Sequence, residues 1–262
     1  MNAWLLTREA LADAVRRRIA GVVAVFALVS LLFVDSCTSC SPTITSQGQE
    51  IPLQQLAGAG GLMVALVLSL WSIVMAGILA SDHLAEPLED GSALLLLSRP
   101  ISRGTYALTR LGGSWLLAAA TAALLLAVTG VLLQQRQGLP AEQLLGAWLA
   151  CLLSAWTVGA LAMTASLWLP RAITALLVFG GVWLLAGLEI AARLGAELSG
   201  LPLLIDTFGP PIASGIIVAL SPWLEGAREI QGSPVLIVSR ALVWCGASSA
   251  LLVLGFRRIE LR

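Results

Sequence analysis

The chain contains no lysine. All 15 of its basic residues are arginine, and 15 acidic residues balance them. A Schiff-base lysine is therefore excluded. So is a phosphate-binding loop of the G-x-x-x-x-G-K-[ST] kind, whose lysine reaches the phosphates. If the protein's work consumes ATP, another chain must hydrolyse it. Histidine is nearly absent as well. His83 is the only one, so no two-histidine metal site exists within one chain, which argues against an intramembrane metalloprotease. Neither a G-x-S-x-G elbow nor a serine–histidine pair within an apolar run is present, which argues against a membrane serine protease. A formal net charge of zero implies no polyanionic partner, and nucleic acid is not expected. Charged residues make up only 11% of the chain, against about 25% in an average soluble domain.

Apolar runs fill most of the length, and 58% of the residues are hydrophobic. A helix needs roughly 20 apolar residues to cross the hydrocarbon layer of a bilayer. Six segments qualify, at about 19–34, 56–80, 111–133, 144–169, 172–191 and 235–256. The first is short, but Arg16, Arg17 and Arg18 lengthen it by snorkelling. Residues 1–18 read as an amphipathic helix lying in the membrane interface. Trp4, Leu11, Val15 and Ile19 share one face, and Glu9, Asp13, Arg16 and Arg17 lie opposite. A signal peptide is rejected. The basic region is long, no small-x-small pattern precedes Asp35, and further spans follow. Residues 192–234 hold two short apolar runs, Leu201–Ile205 and Ile212–Leu220, broken by Pro202, Gly209, Pro210, Pro211 and Pro222. Neither run spans alone, so this outer region is expected to form short re-entrant helices; two further crossings there, giving eight spans, are the alternative. The fold expected is an all-α integral membrane protein in which 19–262 form one transmembrane domain.

Arginine placement orients the chain. One side collects Arg8, Arg16, Arg17, Arg18, Arg99, Arg103, Arg110, Arg171, Arg257, Arg258 and Arg262; the other has Arg136, Arg193, Arg228 and Arg240. That is 11 of the 15 against 4, and the arginine-rich side is cytoplasmic by the positive-inside rule. Both termini are then cytoplasmic. Trp148 and Trp168, near the two ends of the fourth span, fit an aromatic belt.

Four groups of residues are candidates for function. Cys37 and Cys40 form a C-x-x-C in the first outer loop. A disulfide or free thiols is the ordinary reading, and redox or metal handling the alternative. Without a second pair or a nearby histidine, zinc is poorly supported, and no metal site is assigned. Ionisable residues within spans ordinarily mark transport sites. Here they are few: Glu189, with Arg193 one turn later and in reach of an i,i+4 pair, and Arg240. A structural pair near the outer surface is the favoured reading. Cys151 and Cys245 lie within spans and read as small core residues. The fourth group is the loop 81–110, SDHLAEPLEDGSALLLLSRPISRGTYALTR. It carries Asp82, Glu86, Glu89 and Asp90, then Gly91, then a short apolar run Ala93–Leu97. Arg99, Pro100 and Arg103 follow before the third span. A short apolar helix bounded by acidic and basic clusters can dock into a partner's groove. Solvated loop charges and positive-inside arginines account for the same residues without a partner.

The pattern Glu89-Asp90-Gly91, then Leu94–Leu97, then Pro100, Ser102, Arg103, Arg110, Leu111 and Gly112 resembles ABC-2 type permeases, the membrane subunits of ABC exporters. It is most similar to the subgroup that includes the nitrous-oxide-reductase maturation permease. The amphipathic start looks like that family's elbow helix. The proline-broken region is similar to its re-entrant helices, so the resemblance covers nearly the whole chain. One departure is Arg110, where the family commonly has lysine. The resemblance implies a non-catalytic subunit of a bacterial inner membrane. It implies pairing with a second permease copy or a related one, and with ATPase subunits that bind ATP and Mg. The loop 81–110 would couple the ATPase to the spans through Asp82, Glu86, Glu89, Asp90, Gly91, Arg99, Pro100 and Arg103. No cofactor is expected on this chain. An ATPase-independent secondary transporter and a membrane scaffold are the other readings. The shortage of carboxylates within spans counts against an ion-driven carrier.

Overall fold

The computed structural model describes residues 45–46, 49–50, 53–89, 102–137, 140–193, 199–223 and 233–258, and four single positions, Val25, Leu28, Val29 and Leu32. Two-residue strands β1 (Thr45–Ser46) and β2 (Gln49–Glu50) pair antiparallel. Every other regular element described is helical. Five helices are long: α1 (Leu53–Glu89), α2 (Arg103–Gln137), α3 (Ala141–Ser166), α4 (Arg171–Arg193) and α7 (Pro234–Arg258). Between α4 and α7 lie two short ones, α5 (Leu201–Phe208) and α6 (Ser214–Leu220), the latter continued by one 3₁₀ turn, Ser221–Trp223.

The long helices contain the stretches Leu62–Leu84, Arg103–Val131, Ala141–Ser166, Arg171–Arg193 and Pro234–Arg258, each at least 23 residues with mean hydropathy between 1.8 and 2.5. All five are long and apolar enough to cross a bilayer, the mark of a multi-pass membrane protein. They correspond to the second to sixth expected spans. The first expected span and the amphipathic helix 1–18 lie outside the described residues, except for Val25, Leu28, Val29 and Leu32. These four are helical, spaced along one face, and more than half exposed.

Helix ends follow local chemistry. Ser102 caps α2: its Oγ accepts the Thr105 N–H at 3.1 Å, satisfying one of the orphan donors of a first turn. Pro140 precedes α3, Pro170 precedes α4 and Pro234 opens α7, positions where a missing N–H costs no helical bond. The helices α1 and α2 run further than their apolar stretches. Residues 81–89 continue α1 and 103–110 begin α2, so only about 90–102 of the expected loop 81–110 connects helices. The reason is packing. Ser81, His83, Thr109 and Arg110 are polar but buried by neighbouring helices, and the helical hydrogen bonds continue through them.

Helices α1 and α3 form the centre of the bundle, and small residues let them approach. Ala65, Ala76 and Ala80 on one and Ala147, Ala155, Ala160 and Ala162 on the other are buried. At Gly77 of α1 both α3 and α4 come close: a Cβ there would stand 2.9 Å from Val158 Cγ1 of α3 and 2.6 Å from Val178 Cγ1 of α4. Helices α2 and α3 are joined by reciprocal tryptophans. Trp115 Nε1 donates to Leu152 O at 2.9 Å, and Trp148 Nε1 donates to Ala119 O at 3.1 Å.

Candidate functional site

Of the expected coupling residues, the four that lie in described elements sit at the arginine-rich ends of α1 and α2. Asp82 is half-buried on α1 and Arg103 half-buried as the first residue of α2. Glu86 and Glu89 belong to the last turns of α1. Asp90, Gly91, Arg99 and Pro100 lie outside the described residues, as do Cys37 and Cys40.

The two helices that carry this connection are fastened to the rest of the bundle. Leu84, Tyr106, Ala107, Leu111, Met163, Leu252 and Phe256 form one buried cluster that joins the ends of α1, α2, α3 and α7. Tyr106 and Phe256 stack with ring centroids 6.1 Å apart. The Arg110 guanidinium lies 5.5 Å from the Tyr106 centroid, a cation–π distance. Gly104 admits Val253 of α7, whose Cγ1 would be 3.1 Å from a Cβ at that position. A displacement applied between Glu89 and Ser102 therefore has a packed route into four helices. Sequence reading did not single out Tyr106 or Phe256, because nothing local marks two aromatic residues 150 positions apart as partners.

At the opposite end, the two ionisable span residues hold the short helices. Glu189 of α4 is 3% exposed. Its Oε1 accepts the Ile212 N–H at 2.8 Å, and its Oε2 accepts the Ala213 N–H at 2.9 Å and the Ser214 hydroxyl at 2.6 Å. The Ser214 N–H also donates to Oε2. The Ala213 and Ser214 N–H groups are orphan donors at the start of α6, and the Ile212 N–H lies just ahead of its cap. Arg193, one turn after Glu189, reaches the same point: its Nη2 donates to Ser214 Oγ at 3.4 Å. Arg240 of α7 caps the other short helix. Its Nη1 donates to Asp206 O at 2.6 Å and to Thr207 O at 3.0 Å, and Trp244 Nε1 donates to Phe208 O at 2.9 Å. The turn between α5 and α6 meets α3 at its midpoint. There the Ser154 hydroxyl shares one proton among Ala150 O, Pro211 O and Ile212 O, at 3.1, 3.1 and 3.3 Å.

Among the described residues no group of three or more His, Cys, Asp or Glu side chains is placed to hold a metal. Cys151 is buried against Ser69 O at 3.6 Å, and Cys245 lies 3.4 Å from Thr157 Oγ1, so both thiols serve packing. No protein-family model matches the chain, and no curated protein matches it.

Proposed function

We propose that the chain is the permease subunit of an ATP-driven exporter of the ABC-2 type, working as a pair with a second copy or a related permease. A separate ATPase would seat on the connection between α1 and α2. The observation that carries this reading is the run Glu89-Asp90-Gly91 to Pro100-x-Ser102-Arg103. It links two helices whose ends are tied by Leu84, Tyr106 and Phe256 to α3 and α7. Closure of an ATPase pair against that connection would move four helices rather than a loose loop. The absence of lysine agrees, since it places nucleotide hydrolysis in another chain.

In this reading the chain crosses a bacterial inner membrane six times, residues 19–34 supplying the first crossing. Helices α5 and α6 re-enter from the outer side, and both termini are cytoplasmic. Their lengths, 8 and 7 residues, are about 12 and 10 Å at 1.5 Å per residue, too short to cross. The test is charge reversal at Glu89 and at Arg103, each read for ATPase binding and for ATP-driven work. Loss of ATPase binding in either variant, with the variant still in the membrane, supports the reading. Retention of binding and work in both refutes the coupling role. Full function in membranes that hold no ATPase subunit would instead identify a secondary transporter or scaffold.

A further inference from the structure

We propose that residues 200–223 form a strap that closes the arginine-poor end of the bundle, and that Glu189 is the positioning residue that latches it. The strap is seated by α6 rather than by α5. Ile212, Ala213, Ile216, Ile217 and Leu220 are all at most 5% exposed and belong to the main core cluster with α1, α3 and α4. Helix α5 buries no residue, and Leu201, Leu203, Leu204 and Phe208 are each about half exposed or more.

The seat of α6 is smooth. Gly215 meets Ala150, with 3.0 Å between its would-be Cβ and the alanine's, and Ala219 meets Gly146 at 3.3 Å. Contacts between glycine and alanine offer little interlocking, so burial of Ile212, Ile216, Ile217 and Leu220 holds α6 in the core without fixing its position along the α3 surface. The directional fastening is polar. Glu189 alone accepts four donors, from Ile212, Ala213 and Ser214, at the point where the strap turns. Without it, three backbone N–H groups would face an apolar interior, which destabilises the seated strap and raises the share of time it spends unseated. The chain around the strap permits the movement. Gly200, at its start, sits at φ 65°, a conformation open to glycine, and Gly209-Pro210-Pro211 separates the two helices. Besides the carboxylate, the turn into α6 is held only by longer contacts among the described residues, Arg193 Nη2 to Ser214 Oγ at 3.4 Å and the Ser154 hydroxyl divided between Pro211 O and Ile212 O at 3.1 and 3.3 Å, while Arg240 and Trp244 hold α5. The inference stands whether or not an ATPase docks at the other end.

The experiment uses the full chain in membranes, with Cys37, Cys40, Cys151 and Cys245 replaced. One reporter cysteine is then introduced at a time, Ile216→Cys in the strap or Met163→Cys in the cluster at the far end. Labelling by a water-soluble maleimide is followed in open membrane fragments, where both faces are accessible, in the Glu189, Glu189→Gln and Glu189→Ala backgrounds. Glu189→Ala should speed labelling at position 216 by roughly tenfold or more, the equivalent of losing about one buried hydrogen bond to a charged group. Glu189→Gln, which keeps one acceptor, should give a smaller rise. Position 163 should stay protected in all three. If Glu189→Ala does not accumulate, Glu189→Gln carries the comparison by itself. Unchanged labelling at 216 overturns the proposal. So does an equal rise at 163, because the carboxylate would then hold the bundle as a whole and not the strap.

Discussion

Replacing Trp115 and Trp148 by phenylalanine, singly and together, measures how firmly α2 and α3 act as one body. Each indole N–H crosses the interface in the opposite direction, Trp115 to Leu152 O and Trp148 to Ala119 O. The donors and acceptors alternate along one turn of each helix, because residues 115 and 119, like 148 and 152, are about 6 Å apart along the axis. Phenylalanine keeps most of the ring and removes the donor. Both carbonyls lie inside helices and keep their own backbone bonds, so neither is left orphaned. The loss per bond is then that of one neutral hydrogen bond, about 0.5–1.5 kcal/mol, and closer to about 0.6 on average for measured pairs in membranes. Trp115 also meets Trp156 edge-on with centroids 5.6 Å apart, a contact that phenylalanine preserves in part, so Trp115→Phe should cost slightly more. We expect about 1 kcal/mol for each substitution and about 2 kcal/mol for the pair, read by reversible unfolding in mixed micelles. Trp168→Phe is the control: Trp168 is 63% exposed and should cost under about 0.5 kcal/mol. A double variant within about 0.5 kcal/mol of wild type would refute the idea that these bonds join α2 to α3.

Gly77→Ala places a methyl group against Val178 and Val158 and should destabilise the bundle by about 1–3 kcal/mol; Val178→Ala in the same chain should recover part of that loss in the same unfolding assay. Phe256→Ala empties the fully packed position beside Tyr106 and should cost about 3–5 kcal/mol. At a temperature where the variant stays folded, it should also weaken any effect of ATPase binding on the spans, read by labelling at position 163. Ser102→Ala removes the α2 cap and should cost about 1 kcal/mol, seen as faster hydrogen exchange over residues 103–106 with little change in α3.

Five of the spans were legible because uninterrupted apolar runs leave few alternatives once they exceed about 18 residues. Their ends were less so. Ser81, Asp82 and His83 read as a loop because they are polar. They are helical because α1 is packed on several sides, and local polarity carries no record of that. The short apolar runs at 201–205 and 212–220 were readable as helices too short to cross, and α5 and α6 fall close to them. What holds them was not readable. The partners of Glu189 are backbone N–H groups 23 to 25 residues away, and a backbone donor has no signature in sequence. Glu189 and Arg240 stood out as ionisable residues within spans, with a structural role for Glu189 and Arg193 the favoured reading; the hydrogen bonds of Glu189 and Arg240 make them caps for the two short helices. Trp148, read from position as part of an aromatic belt, donates its N–H to a neighbouring helix. Of the eight expected coupling residues, only Asp82 and Arg103 have described side chains, so the resemblance rests on the residues of 89–112 as a pattern.

The most direct test of the central claim is site-specific photo-crosslinking from Glu89 and Arg103, with the tagged chain purified from its own membranes in mild detergent. The account predicts a stoichiometric crosslink to a nucleotide-hydrolysing subunit from both positions, and ATP hydrolysis in the purified complex that falls when either charge is reversed. A chain that purifies without such a subunit and keeps its full function, or an ATPase that crosslinks elsewhere and ignores both reversals, would contradict it.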